Sequence, residues 1–343
     1  MKPICIIGHF GFGEEMLDGQ TVKTKTVTAE LERQLGADQI VKIDTHGGAC
    51  VLPRVILQAY KGFRHCKNII IFPAQNGIRV FAPLCAVLNR HFHRKLHYVV
   101  IGGWLAEFLK EHGRLKKALK QFSGIYVETN TMKQALKRHG LTNTVVMPNF
   151  KDIRVLSESE LVYSEGEPYR LCTFSRVMQE KGIDYAVQAV KAVNASCERA
   201  VFKLDIYGQV DANQVQWFEE LKSGFTGDIQ YCGLVPFDKS AEVLKSYHAL
   251  LFPTYYEGEG FAGTLLDAMA AGVPVIASDW KYNAEIIIPN KTGILVEAKD
   301  QAALNRALEC CNSTDWNQMK RACIEEAKKY TPENVIQVLI KRL

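Results

Sequence analysis

The stretch Glu257-Gly-Glu-Gly-Phe-Ala-Gly-Thr-Leu-Leu-Asp267 runs on into Ala268-Met-Ala-Ala-Gly-Val-Pro-Val-Ile-Ala-Ser278, and its reading decides the fold. The apolar run before it, Ala249-Leu-Leu-Phe-Pro253, predicts a buried strand. Leu265, Leu266, Ala268, Met269 and Ala270 are good helix formers, and Gly272 with Pro274 stops them. Val275-Ile-Ala277 follows as a second strand, so the unit reads strand, glycine turn, helix, strand. A glycine-rich turn feeding a helix leaves backbone N–H groups unpaired at the positive end of the helix dipole, which suits an anion. Glu259 lies on that turn with a carboxylate able to accept from hydroxyls, and Asp267 is expected about two turns into the helix. Amide donors for phosphate beside two carboxylates for hydroxyls fit a sugar nucleotide. The plainer alternative is a glycine turn leading into a buried helix.

Outward from this unit, the chain repeats the same grammar. Ile4-Cys-Ile-Ile7 leads to Gly8-His-Phe-Gly-Phe-Gly13 and Asp18-Gly19-Gln20, and then to a helical pattern from Thr21 to Leu35 on Val22, Val27, Leu31 and Leu35. Further strand-like runs lie at 39–43, 68–72, 97–101, 124–127 and 144–147, with helical segments between most of them. Strands alternating with helices predict an α/β chain with parallel, doubly wound sheets. Pro148-Asn-Phe150 closes this half, and the polar, acidic stretch 157–168 reads as a linker or surface excursion. A new strand, Arg170-Leu-Cys-Thr-Phe174, opens the second half; Lys203-Leu-Asp-Ile-Tyr-Gly208 and Ile229-Gln-Tyr-Cys-Gly-Leu-Val-Pro236 follow. The spacing Gly8-x-x-Gly11-x-Gly13 is not the dinucleotide fingerprint, and no acid stands where a ribose ligand would, so NAD binding is disfavoured.

The central block is similar to the E-x7-E block of family-4 retaining glycosyltransferases. Glu259-Gly-Phe, the seven-residue spacing and the Ala-Met-Ala and Gly-Val-Pro-Val-Ile flanks all agree, with Asp267 standing where the family has Glu. Ser175-Arg-Val-Met-Gln-Glu-Lys-Gly182 resembles the family's G-R-x4-K-G segment, with Ser175 in place of glycine. The resemblance covers residues 170–343 closely and the first half by pattern only. It implies the GT-B fold: two Rossmann-like doubly wound parallel-sheet domains facing a cleft. Residues 1–150 would form the acceptor-binding domain, joined by a terminal helix at 331–343, and 151–330 the nucleotide-sugar domain. It also implies that Arg176 and Lys181 neutralise a diphosphate leaving group and that Glu259 holds the donor sugar. Gly19, Gly208, Val235, Gly260, Phe261, Ala262, Thr264, Leu265 and Asp267 would line the donor, with the Leu234–Val235 backbone gripping the base. On residue type alone Arg176 and Lys181 could equally be solvated surface cations. No Asp-x-Asp occurs, so no metal clamp and no cofactor are expected.

Composition sets outer bounds. At 343 residues, 47% apolar and 23% charged, the chain has material for two cores. Ten cysteines without C-x-x-C suggest a reduced, cytoplasmic protein, and no apolar run is long enough to span a bilayer. Residues 1–150 hold 21 Lys+Arg against 10 Asp+Glu, whereas the remainder holds 21 against 27, so the first half suits an anionic partner. The segments 90–97 and 110–122 are basic with apolar interleaving, and Leu115, Leu119 and Phe122 recur at helical spacing. They fit a helix on the inner face of an anionic membrane, or else an ordinary core stripe with a solvated basic face. No nucleic-acid-binding pattern is present. His9 and His46 are the candidates for a catalytic base, although a structural histidine satisfies the same pattern. The expected activity is hexose transfer from a nucleotide diphosphate sugar, UDP most readily, to an alcohol acceptor such as a lipid-linked saccharide in cell-surface polysaccharide synthesis. A nucleotide-sugar epimerase and a non-catalytic partner subunit are the alternatives.

Overall fold

A computed structural model describes residues 2–13, 19–312 and 314–343. The chain divides into two compact units, one of residues 1–149 with 332–343, the other of residues 150–331.

In the first unit the strands are β1 (Lys2–Gly8), β2 (Ile40–Asp44), β3 (Cys66–Ile71), β4 (Lys95–Val99), β5 (Gly124–Val127) and β6 (Thr144–Val146). They form one parallel sheet in the order β2-β1-β3-β4-β5-β6. A parallel sheet carries helices on both faces, which explains why Ile4–Ile7 of β1 and Ile69–Ile71 of β3 read as apolar runs rather than alternating ones. Ile4, Cys5, Ile6, Ile69, Ile70 and Ile71 are all buried. The helices between them are α1 (Gly19–Leu35), α2 (Leu52–His65), α3 (Gln75–Phe92), α4 (Leu105–Phe108), α5 (Gly113–Leu119) and α6 (Asn130–Arg138).

Helix α1 departs from its sequence pattern. Val22 is 43% exposed, and the buried face is carried by Thr21, Lys23, Thr24, Val27, Thr28, Glu30 and Leu31. The helix packs closely on the end of β1, where a Cβ on Gly8 would stand 2.6 Å from the Thr24 methyl. Lys23 survives burial because its ammonium donates to Glu128 and to Asn149, both at 2.8 Å.

The second unit has β7 (Tyr169–Phe174), β8 (Phe202–Tyr207), β9 (Ile229–Gly233), β10 (Ala249–Phe252), β11 (Val275–Ser278) and β12 (Gly293–Val296). All pair in parallel, in the order β12-β11-β10-β7-β8-β9. Its helices are α7 (Ile183–Ser196), α8 (Val215–Ser223), α9 (Ser240–Leu244), α10 (Gly263–Ala270), α11 (Asn283–Ile286), α12 (Gln301–Glu309) and α13 (Thr314–Ala327). The last helix, α14 (Pro332–Ile340), returns to the first unit, where Glu333 pairs with Arg33 of α1. The chain winds outward from β7 through β8 and β9, then crosses back to start β10 on the other side of β7. The two directions part between β7 and β10, and a crevice opens there beyond the carboxyl ends of the strands.

Candidate functional site

The loops at that parting point enclose a cavity of about 360 Å³, lined by the ends of β7 and β8, the turn after β9 and the first turns of α10. Arg176, Gly208, Val235, Thr264 and Asp267 all line it, so five of the residues singled out from sequence meet in one hollow. Gly208 is required by the packing of β7 on β8. Its φ is +136°, and a Cβ there would lie 1.7 Å from the Ser175 carbonyl oxygen. Helix α10 begins at Gly263 with Ala262 at its N-cap and no side-chain cap, so nothing from a side chain covers the first-turn N–H groups. Thr264 turns its hydroxyl instead to the Phe174 carbonyl, tying α10 to the end of β7.

Arg176 reaches out with its side chain 61% exposed and touches Asp211 at 3.5 Å, a loose contact that leaves the guanidinium available. Asp267 is one turn into α10 rather than two, because the helix starts at Gly263, later than the glycine run suggests. It is buried, and the Lys151 ammonium donates to both its oxygens at 2.9 and 2.7 Å while Ser240 donates at 3.2 Å. Burial pushes its carboxyl above the usual range, and Lys151 and Ser240 pull it back. The shorter acid therefore comes paired with a cation, although burial still leaves its carboxyl above the usual range.

Glu259 and Lys181 stand together, with the ammonium donating to the carboxylate at 2.6 Å. Thr254 adds a hydroxyl donor to the same oxygen at 3.0 Å. Both side chains are largely sheltered, at 8% and 13% exposed. Gly182 fixes the turn that carries Lys181. At φ +72° its missing Cβ leaves room for the Pro253 carbonyl, which would otherwise be 2.2 Å away. Neither Glu259 nor Lys181 lines the Arg176 cavity, so the three do not form a single ring of side chains.

Phe261 and Ala262 precede α10, and Leu265 lies in its first turn. Their side chains are buried in the core with Phe252, Leu266 and Met269, so only their backbone can meet a ligand. Gly260, between Glu259 and Phe261, is half-buried and keeps the loop. Gly19 opens α1 in the first unit, where a Cβ would meet nothing within 4 Å, and Asp18 lies outside the described residues. In the loop after β1 the amides of Phe10 and Phe12 donate to Asp44, each at 2.9 Å. His9 and His46 adjoin there, Nδ1 of His46 lying 3.2 Å from Nε2 of His9, with Thr21 at 2.7 Å from His9 Nδ1.

The two basic segments are divided by burial. Leu115, Leu119 and Phe122 pack in the core of the first unit, so α5 has no apolar stripe to offer a membrane. His97 is buried between Tyr126 and Asn68, and burial lowers its pKa to about 4, so it is neutral. All ten cysteines are free thiols. Among the described residues, no cluster of three or more His, Cys, Asp or Glu could hold a metal, and no helix is long and apolar enough to cross a membrane. Sequence reasoning missed Lys151, Asp211 and Thr254. Lys151 left no signal, being 116 positions from the acid it serves.

Comparison with known proteins agrees with this geometry. Residues 168–312, which build most of the cavity, match the family described as Glycosyl transferases group 1. The chain is 33% identical over 141 residues to the lipopolysaccharide core biosynthesis mannosyltransferase LpcC of Rhizobium leguminosarum bv. viciae, a match covering 39% of this chain and 38% of that protein. It thus spans well under half the length of that relative. Among solved structures, Anabaena Alr3699/HepE in complex with UDP superposes with a TM-score of 0.75 at 12% identity, covering 99% of this chain and 98% of that one. The lipopolysaccharide outer core galactosyltransferase WaaB in its apo form gives 0.72 at 14% identity, with the same coverage. These likenesses show the fold class, α/β with two doubly wound parallel sheets of the GT-B kind.

Proposed function

We propose that this chain is a retaining glycosyltransferase that moves a hexose from a nucleotide diphosphate sugar to an alcohol acceptor. The cavity beyond the ends of β7 and β8 carries the reading, because it joins an available guanidinium, an uncapped helix start and a buried carboxyl group paired with a lysine. In this reading Asp267 accepts from the ribose hydroxyls. The exposed Leu234 and the Val235 backbone meet the base, and Leu234, 69% exposed at the cavity edge, offers the apolar surface a flat ring prefers. Arg176 and the first-turn amides of α10 take the diphosphate. A forked guanidinium and fixed amides stabilise the charge that grows on the departing phosphate, and they do so without reorganising in the reaction. Glu259 accepts from the sugar hydroxyls and, through its contact with Lys181, holds a second cation for the leaving group.

Cations and amides offset the phosphate charge that a metal would otherwise neutralise, so transfer is expected to survive chelation. No carboxylate is assigned beneath the anomeric carbon. Attack on the same face as the leaving phosphate therefore accounts best for retention. UDP is the favoured carrier because the Anabaena structure of the same fold holds UDP. The Rhizobium relative's part in lipopolysaccharide core synthesis supports a saccharide acceptor, lipid-linked as in surface polysaccharide assembly.

The test is a thermal-shift panel of nucleotide sugars followed by product analysis with and without an alcohol acceptor. A cognate donor at 100 times its dissociation constant adds roughly 2.7 kcal/mol of stability. Product formed only with acceptor and with retained configuration supports transfer. Isomerised donor without acceptor would make the chain an epimerase, and no shift with any nucleotide sugar would leave a non-catalytic subunit.

A further inference from the structure

One wall of the Arg176 cavity is tied to a buried chain of polar side chains. Tyr207, the last residue of β8, lines the cavity beside Gly208. Its hydroxyl lies 2.8 Å from that of Tyr247, which is buried, and the Tyr247 hydroxyl donates to Asp205 at 2.5 Å. Asp205 is also on β8, two residues before Tyr207, so the two share a face of the strand. Its carboxylate accepts further bonds from Arg170 of β7 and Gln230 of β9, each at 2.8 Å. Arg170 donates to the Tyr247 oxygen as well, at 3.0 Å. The chain thus crosses three neighbouring strands and the approach to β10, and it comes out at the cavity.

Counting protons fixes the direction of each bond. Burial works against the charge on Asp205, but Tyr247, Arg170 and Gln230 outweigh it and hold the carboxyl below its usual range, so it only accepts. Tyr247 has a single proton and gives it to Asp205. Its oxygen must then accept from Tyr207, which leaves the Tyr207 phenol no proton to offer elsewhere. The Cys232 thiol also stands beside that phenol and can donate to it. Towards the cavity, Tyr207 therefore presents a ring and no donor. The ring is held at its tip by Tyr247, at its base by the close fit of Gly208 on Ser175, and at its flank by Phe174, a second lining residue 5.8 Å away between ring centroids.

We propose that Tyr207 sets the nucleotide affinity of this cavity through the placement of its ring, and that Tyr247 and Asp205 are positioning residues that act through it. The inference rests on the transferase reading, in which Leu234 and the Val235 backbone meet the base, and it adds an aromatic wall to the same hollow. A ring whose only donor is already committed gives a phosphate nothing to bond, but it suits a flat heterocycle. The part of the donor that Tyr207 serves is thus the base, away from the bond that breaks. Its loss should raise the KM for donor and leave kcat within about twofold.

Calorimetry with UDP and donor kinetics on the full chain test this, using Tyr207→Phe, Tyr247→Phe, both together, and Tyr207→Ala. Removing the ring should weaken UDP binding by about thirtyfold. Each phenylalanine variant should weaken it by about fivefold, and the double variant should be no weaker than either single one. A merely structural role would lower the melting temperature of each variant and give additive losses. The phenylalanine variants keep their rings, so they carry the test if Tyr207→Ala does not fold. Wild-type affinity in a folded Tyr207→Ala would overturn the proposal, as would a fall in kcat with the donor KM unchanged. Additive losses in the double variant, with the wild type binding UDP, would sink this inference alone. Failure of the wild type to bind any nucleotide diphosphate would sink the transferase reading along with it.

Discussion

Two glycine-rich loops at strand ends present their backbone amides in opposite ways. After β1, the amides of Phe10 and Phe12, joined by that of His46, converge on the Asp44 carboxylate, so the loop is filled by an anion of the protein's own. After β10, the turn leads into α10 with no capping side chain and an open hollow in front of it. Both loops read alike as sequence. What separates them is whether the fold delivers an acid to the amides, so a glycine loop by itself says little about phosphate.

The largest effect that tests the contrast is at Glu259. Glu259→Gln keeps the shape but leaves Lys181 without its charge partner in a sheltered place. Transfer should fall by roughly a thousandfold and stability by about 3 kcal/mol, read from turnover and denaturant unfolding. Wild-type turnover in a folded variant would remove the open site from the comparison. Arg176→Ala should weaken binding of the nucleotide diphosphate by about thirtyfold in calorimetry. The same change should leave stability within roughly 0.5 kcal/mol, because the side chain is exposed.

Lys151→Met is next. Asp267 is raised by burial and pulled back by Lys151, so its folded value lies above the unfolded one. A raised carboxyl favours the fold at low pH and loses that advantage as pH rises through the folded value. Without Lys151 the buried charge should cost about 2 kcal/mol at neutral pH, a figure discounted because Lys151 is 35% exposed, and acidification should restore the stability. A loss independent of pH would break the pairing argument.

Asp44→Asn should have the smallest effect, about 1 kcal/mol. Burial pushes the Asp44 carboxyl up, but the amides of Phe12, His46, Phe10 and Gly11 outweigh it and hold it low. Its contribution is therefore present at neutral pH and is lost as pH falls through that low folded value. In the Asn variant, the acid limb of the stability profile should flatten. If it does not, the filled loop is no more ordered by its acid than the open one.

Much of the scaffold was legible because it is local. Apolar runs of four to seven residues set by glycines gave the strands, and the Glu259 to Ser278 pattern gave the unit whose helix lines the hollow. Legibility failed where a side chain's fate depends on what lies across from it. Val22 looks like part of a core stripe and is exposed, while Lys23 looks exposed and is buried against Glu128 and Asn149. Phe261 and Leu265 sit in the motif yet serve the core. On α5 the pattern misled as well, since the stripe noticed there is buried.

By itself the sequence determined the period of each segment and the two sheets that follow from it. These depend on neighbours a few positions apart, which the chain order states outright. Only the tertiary structure decided that Lys151 meets Asp267, that Asp44 fills the first loop, and which helical faces remain in water. Those pairings join residues tens to more than a hundred positions apart, and burial and charge act through distance in space.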